Sequence, residues 1–400
     1  MASIIKRKSK YSVVYRYTDE NGVERQKWET FATNSEAKKR KTEVEYQQDK
    51  GIFTMPTAKT IRDLLADYVS IYGVNTWALS TYDAKRGLID NYINPIIGDL
   101  KLDAITPRTM DKYYKDLLST KCAQRPYQTK RNDATVSARN VKEIHKILRC
   151  AFNQAVKWEL MSRNPVIHAA LPKSEPAKRE IWTAETIFEA INLCDDDLLA
   201  LAINLAFTCS LRMGEMLGLT WDCISIDEKK LSEGRATVYI EKELQRVSKE
   251  ALEKLDSKDV IKVFPGVLAS KHTSLVLKAP KTKTSIRTVY LPNTVAEMLL
   301  KHKKEQEEIK ELIGDEYIDY NLVFASSGGR PIEGQVINRG FSKLIEDNNL
   351  PKVVFHSLRH SSITYKLKLN GGDMKSVQGD SGHAQLKMVS DVYSHFTVYL

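Results

Sequence analysis

The chain has 400 residues, 42% of them hydrophobic and 28% charged, which is enough apolar material for two or three packed cores with an ordinary surface. A net charge of +10 and a pI near 9.1 argue for a polyanionic partner, with nucleic acid ahead of an anionic membrane. The five cysteines are scattered with no CxxC pair, and their odd count argues against a disulfide framework. Apolar runs too short to cross a bilayer and a start without a sustained apolar region give the expectation of a cytoplasmic protein with no membrane partner.

Residues 1–56 read as a small β-sheet-plus-helix module. Tyr11-Ser-Val-Val-Tyr-Arg-Tyr alternates as a strand, Asp19-Glu-Asn-Gly22 is a hairpin turn, and Glu24–Phe31 returns as a second strand. A charged helix follows from Asn34-Ser35 to Lys50 and stops at Gly51. Arg16, Arg25, Lys27 and Trp28 give this sheet a basic surface suited to a DNA groove. The adjoining run Lys38-Lys39-Arg40-Lys41 is by itself more often a solvated helix face.

After a linker at Met55–Thr60, residues 58–168 carry apolar positions at helix spacing, first Ile61, Leu64, Leu65, Tyr68, Val69 and Tyr72. Two further helices open at Ser80 and Pro107, and a fourth covers Ser137–Lys157. Lys85, Arg86, Arg139 and Lys142 give this all-α domain a basic side. A second linker, Leu171–Arg179, contains Pro172 and Pro176.

Residues 176–400 form a mixed, mainly α domain. An apolar helix beginning at Leu198 runs into Ser210-Leu-Arg212-Met-Gly-Glu215. Strands are expected at Ala236–Ile240, Leu275–Leu277 and Ile286–Leu291, forming one small antiparallel sheet. Glu241–Lys271 is a polar insert, and Pro280–Ser285 is the hairpin turn between the last two strands. A helix from Asn293 to about Ile313 and a helix-turn-helix C-terminal stretch complete an α+β multidomain chain.

The chemistry-bearing residues are sparse and far apart. His356 and Arg359 lie three apart, so on a helix they share a face. A guanidinium offers a planar fork to phosphate, imidazoles move protons near neutrality, and a tyrosine beside them can act as a nucleophile. Each has an ordinary explanation when taken alone. Arg212 could pair with Glu215 or Asp222, Lys281 and Lys283 could be solvated turn lysines, and any one of 18 tyrosines is more often packed than reactive.

Taken in order, Leu211-Arg212-Met-Gly-Glu215, Pro280-Lys281-Thr, His356-x-x-Arg359-His360, Gly382-His383 and Tyr393-Ser-His395 resemble the tyrosine recombinase (phage integrase) family. The similarity is strongest to integrases of conjugative transposons and temperate phages. Ser210 stands where that family often has glycine. The resemblance implies an arm-type DNA-binding module at 1–56, a SAM-like helical bundle binding core-type DNA at 58–168, and a catalytic domain at 176–400. It implies that Tyr393 attacks DNA to leave a 3′-phosphotyrosine, that Arg212 and Arg359 clamp the phosphate, and that Lys281, or Lys283 in the same turn, protonates the leaving oxygen. His356 would assist proton transfer, His383 would hydrogen-bond the phosphate, and Glu215 would orient the site. No cofactor and no metal ion is implied. The expected partners are double-stranded DNA, three further copies of the chain in a homotetramer on paired sites, and an accessory directionality factor.

Three other readings compete. Supercoil relaxation in the manner of type IB topoisomerases uses the same chemistry, but the arm-binding-like first module argues against it. A non-catalytic DNA-binding regulator would not need the full residue set. A metal hydrolase would want a glutamate between His356 and His360 as in HExxH, and there is none.

Overall fold

The computed structural model describes residues 2–18, 23–50, 59–124, 133–173, 180–266 and 272–382. The Asp19–Gly22 turn, most of both linkers, the end of the 241–271 insert, His383 and Tyr393 lie outside the described residues. The chain divides into two compact units, residues 1–77 with 84–175, and residues 78–83 with 176–400.

In the first unit, β1 (Ser3–Arg7), β2 (Lys10–Thr18) and β3 (Glu24–Phe31) form an antiparallel sheet in the order β1-β2-β3. β1 was not expected, because Lys6-Arg7-Lys8 hides its short alternation. The helix Asn34–Asp49 begins at the expected Asn34-Ser35, with Thr33 as its cap. The Thr33 hydroxyl accepts from the Glu36 N–H at 3.3 Å, and the Glu36 carboxylate accepts from the Thr33 N–H at 3.2 Å. Val13, Tyr15, Ala37 and Val44 bury the contact between sheet and helix. Tyr15 donates to Glu29 at 2.6 Å and Arg40 donates to Glu29 at 2.7 Å, which pins the helix.

The register divides the expected basic surface. Residues paired across strands share a face, and Tyr15 pairs with Lys27 while Tyr17 pairs with Arg25. Lys27 and Arg25 therefore lie on the helix side. Val14 pairs with Trp28 and Arg16 with Gln26 on the opposite, open side, where the Arg7 guanidinium lies 4.7 Å from the Trp28 ring.

The four expected helices follow: Ile61–Asp67, Pro107–Ser119 and Ala138–Lys157 in this unit, and Leu79–Leu88, whose residues 79–83 fall in the second unit and 84–88 in the first. Ile61–Asp67 and Leu79–Leu88 run on into π-helical turns, Tyr68–Gly73 and Ile89–Ile93. Thr60, Thr106 and Ser137 cap three of the helices through their hydroxyls. Their inward faces bury Leu64, Tyr68, Ile93, Tyr114, Ile144 and Phe152. Lys85 lies 4.1 Å from the Trp77 ring centroid and Arg86 pairs with Asp90 at 3.2 Å, so both have local partners. Arg139 is exposed and Lys142 half-buried.

The second unit is organised around the apolar helix Asp197–Thr208. Its all-round burial, from Leu199 to Phe207, is what a helix packed on several sides requires. The helices Ser357–Leu369, Asn293–Ile313, Gly334–Asp347 and Ala184–Asn192 pack against it.

Two corrections concern the strands. The unit holds two three-stranded sheets rather than one: β4 (Ile224–Ser225), β5 (Thr237–Ile240) and β9 (Arg287–Tyr290) in the order β4-β5-β9, and β6 (Glu243–Ser248), β7 (Val260–Phe264) and β8 (Thr273–Lys278) in the order β6-β8-β7. The polar insert therefore contributes strands on both sides of β8. Also, β8 and β9 belong to different sheets, so Ala279–Ile286 is a crossing between sheets and not a hairpin turn. Among the described residues, no helix is long and apolar enough to cross a membrane.

Close backbone packing sets where the short helix Met213–Leu217 sits against β6. A Cβ added at Gly218 would stand 2.8 Å from Glu243 Cα and from Leu244 N, a clash with backbone that cannot swing away. We expect Gly218→Ala to destabilise the second unit by roughly 1–3 kcal/mol, as overpacking does. Gly87→Ala, in a helix with open space around the site, should instead stabilise the first unit by roughly 0.5–1 kcal/mol. Chemical denaturation of each variant checks both signs; a neutral Gly218→Ala would refute the packing argument.

Candidate active site

Arg212 precedes the helix Met213–Leu217 in extended conformation, and Glu215 occupies that helix's first turn. A carboxylate there meets unpaired backbone N–H groups and the positive end of the helix dipole. Glu215 accepts from the Arg212 N–H at 3.0 Å. It also accepts from the Arg212 guanidinium at 2.5 Å and from the Arg287 guanidinium at 3.0 Å, and Arg359 Nη1 lies 4.0 Å away. Glu215 is 1% exposed. Burial pushes its pKa up, but the Arg287 and Arg212 guanidiniums outweigh this, and the net direction is below the ordinary carboxylate value.

Arg359 lies inside the helix Ser357–Leu369 and is buried. Its guanidinium donates to the Ser210 carbonyl and, at 2.5 Å, to the Ser381 carbonyl. Ser210 holds a φ of +53°, a left-handed conformation that glycine adopts more easily. Its hydroxyl lies 2.6 Å from that of Ser362 on the Arg359 helix. Arg212 Nη2 in turn donates to the Gly382 carbonyl at 3.3 Å. Gly382 closes the helix Met374–Ser381 at a φ of +64°.

The fold thus brings Arg212, Glu215 and Arg359 together with the residue just before His383. His356 is exposed at the N-cap of the Arg359 helix, three positions before Arg359, and its ring centroid lies 5.0 Å from that of His360. Lys281 and Lys283 are both exposed on the sheet-crossing segment.

Sequence reasoning missed Arg287. In Ile286-Arg-Thr-Val-Tyr290 the expected inward residues are the apolar ones, yet Ile286 and Tyr290 are exposed while Arg287 and Val289 are buried. The strand period, which places Arg287 on the side of Val289, was the available signal.

Among the described residues, one other cluster has ligand-like chemistry. Donor atoms of Asp222, Cys223 and Glu241 lie within 4.8 Å of one another, but the Lys242 ammonium already sits among them, 2.8 Å from Asp222 and 2.9 Å from the Thr220 hydroxyl.

Arg212, Arg287 and Arg359 thus gather around one buried carboxylate. Residues 258–398 match the phage integrase family, and residues 60–118 match its N-terminal SAM-like domain. A XerC-like tyrosine recombinase of Caldanaerobacter subterraneus subsp. tengcongensis is 26% identical over 326 residues, covering 79% of this chain and 74% of that protein. In fold, the chain is similar to the Tn1549 transposon integrase solved with circular intermediate DNA, with a TM-score of 0.63 and 15% identity over 84% of this chain and 95% of that one. It is likewise similar to a lambda integrase tetramer bound to a Holliday junction, with a TM-score of 0.54 and 18% identity over 96% of this chain and 92% of that one. The chain belongs to the tyrosine recombinase (phage integrase) family. It is a tyrosine-type site-specific DNA recombinase of the kind that integrates mobile elements.

The lowered pKa of Glu215 fixes a sign. A carboxyl whose folded pKa is depressed adds stability above its unfolded pKa and loses it as pH falls through the folded pKa. Glu215→Gln should therefore cost about 3–5 kcal/mol at pH 7, the range for breaking a buried pair, and the deficit against the parent should shrink on acidification below about pH 4.3, the ordinary glutamate pKa. Denaturant titrations at several pH values measure this; a deficit independent of pH would contradict the ion-pair account.

Proposed function

We propose that this recombinase integrates and excises a mobile element by cutting and rejoining DNA through a tyrosine ester, with Arg212 and Arg359 as the phosphate clamp. The observation that carries this reading is the convergence of guanidiniums from distant parts of the sequence on Glu215. Three positive charges face one carboxylate, so the pocket keeps a surplus suited to a phosphodiester. Arg359, fixed by two carbonyls, has its plane set before substrate arrives, which is what stabilising charge in a transition state requires.

In this scheme the Tyr393 oxygen attacks phosphorus as its phenolic proton passes to a base, with His356 assisting. The bond from phosphorus to the 5′-oxygen breaks, and that oxygen takes a proton from the Lys281 ammonium, or from Lys283 on the same segment. The product is a 3′-phosphotyrosine and a free 5′-hydroxyl. His383 hydrogen-bonds a phosphate oxygen. The bond energy is kept in the ester, so rejoining is the reverse step and calls for neither nucleotide nor metal.

Residues 58–168 would bind core-type sites through Lys85, Arg86, Arg139 and Lys142, and residues 1–56 would bind arm-type sites. The open sheet face with Arg7, Arg16 and Trp28 is the better candidate there than Arg25 and Lys27. A homotetramer on paired sites, an accessory directionality factor and a cytoplasmic location complete the proposal.

A DNA duplex nicked near the cleavage site traps the covalent adduct, because the short fragment diffuses away. In EDTA, wild-type protein should form the adduct and Tyr393→Phe should form none. Arg212→Lys and Arg359→Lys should slow it by about 10²–10³-fold, in line with loss of one transition-state donor. Adduct formed by Tyr393→Phe, or abolished by EDTA, would overturn the scheme. For the first module, Arg16→Ala should lower both arm-site affinity and the slope of affinity against salt, since each lost phosphate contact releases fewer counterions. An unchanged slope would remove Arg16 from the interface.

A further inference from the structure

We propose that Arg287 is a positioning residue for leaving-group protonation, fastening the lysine-bearing segment to the arginine pocket through Glu215. The inference deepens the reading given above and rests on a lysine of this segment being the proton donor.

No strand ladder can place Lys281. β8 ends at Lys278 in one sheet and β9 begins at Arg287 in another, and past the Ala279 N–H, which donates to the Asp259 carbonyl at 2.9 Å, Pro280–Ile286 takes its position from side-chain and turn contacts. Arg287 supplies a tertiary one. Its side chain is 7% exposed and reaches in two directions: Nη2 donates to Glu215 at 3.0 Å, and Nη1 donates to the Ser285 carbonyl at 2.9 Å. Ser285 continues the connection, since its hydroxyl lies 2.9 Å from that of Thr282 and its N–H donates to the Thr282 carbonyl at 3.0 Å. Thr282 is bonded directly to Lys281.

A second contact closes the arrangement. A Cβ placed on Gly382 would stand 2.9 Å from Arg287 Nη1 and 3.1 Å from the Thr284 carbonyl. Only glycine leaves room for Arg287 and the segment to press against the turn that precedes His383. One guanidinium therefore ties together the Arg212–Glu215 helix start, the lysine segment and the Gly382 turn.

A purely structural arginine and a positioning arginine differ in what rescues their loss. A 5′-bridging phosphorothiolate substrate leaves as a thiolate, whose conjugate acid has a pKa near 8.5, so cleavage no longer needs a proton donor. Single-turnover adduct formation by Arg287→Lys and Arg287→Gln is measured on nicked duplexes carrying oxygen or sulfur at that position. On the oxygen substrate we expect losses of about 10²-fold or more, the worth of general acid catalysis. On the sulfur substrate the rates should return to within about tenfold of wild type.

Thr282→Val removes the hydroxyl contact with Ser285, leaving the backbone one, without touching a buried charge. It should give a smaller defect with the same rescue, which keeps the idea testable should the Arg287 variants fold poorly. Equal defects on both substrates in folded Arg287 variants, or no defect in Thr282→Val together with unrescued Arg287 variants, would overturn the proposal. Lys281→Ala and Lys283→Ala separate the two layers. If neither is rescued by sulfur, the proton-donor reading itself fails; if one is rescued while the Arg287 variants are not, only the positioning role fails.

Discussion

The catalytic unit depends on one buried carboxylate. Guanidiniums from Arg212, Arg287 and Arg359 would repel one another in a low-dielectric interior, and Glu215 is the group that lets them gather. Its place in the first turn of Met213–Leu217 matters as much as its charge. The Arg212 N–H and the helix dipole hold the carboxylate, so its oxygens are fixed before any arginine docks. The arginines are thereby given positions relative to the backbone of a short helix that is pressed onto β6 at Gly218. A shift in that helix is a shift in the whole clamp.

Backbone geometry provides the second constraint. Arg359 is bound by carbonyls of Ser210 and Ser381, which are 171 positions apart in sequence. The Ser210 carbonyl points at Arg359 from a residue held at positive φ, a conformation that costs a non-glycine residue of order 1 kcal/mol or more. The hydroxyl contact with Ser362 is the compensation that serine has and glycine lacks. The pocket therefore exists only once the Asp197–Thr208 and Ser357–Leu369 helices have packed, which ties the arginine arrangement to the folded core.

Helices were legible in the sequence wherever one face was apolar and a Thr or Ser stood at the cap, as at Thr60, Thr106, Ser137 and Thr183. Short strands without a hairpin signal beside them were not. β1 and the insert strands β6 and β7 alternate weakly, and their pairing with β2 and β8 supplies the order that local pattern lacks. Register was equally hidden: nothing local told Arg16 and Trp28 from Arg25 and Lys27, although one step along a strand changes the face. In the site, Arg212, Glu215 and Arg359 could be picked out because family motifs flag them. Arg287 could not be picked out that way, since its meaning comes from a partner 72 positions away.

The sheet crossing at Ala279–Ile286 changes what the lysine segment can do. A hairpin turn would hold Lys281 by its own ladder, whatever the state of the rest of the site. Under the proposed roles, a crossing held by Arg287 and Glu215 would place the proton donor through the same carboxylate that gathers the arginines. Donor and clamp would then be positioned together, and a protomer whose arginine pocket is incomplete would also have a misplaced acid. For cleavage through a tyrosine ester, that coupling would restrict cutting to sites where rejoining, which would use the same groups in reverse, is equally well equipped.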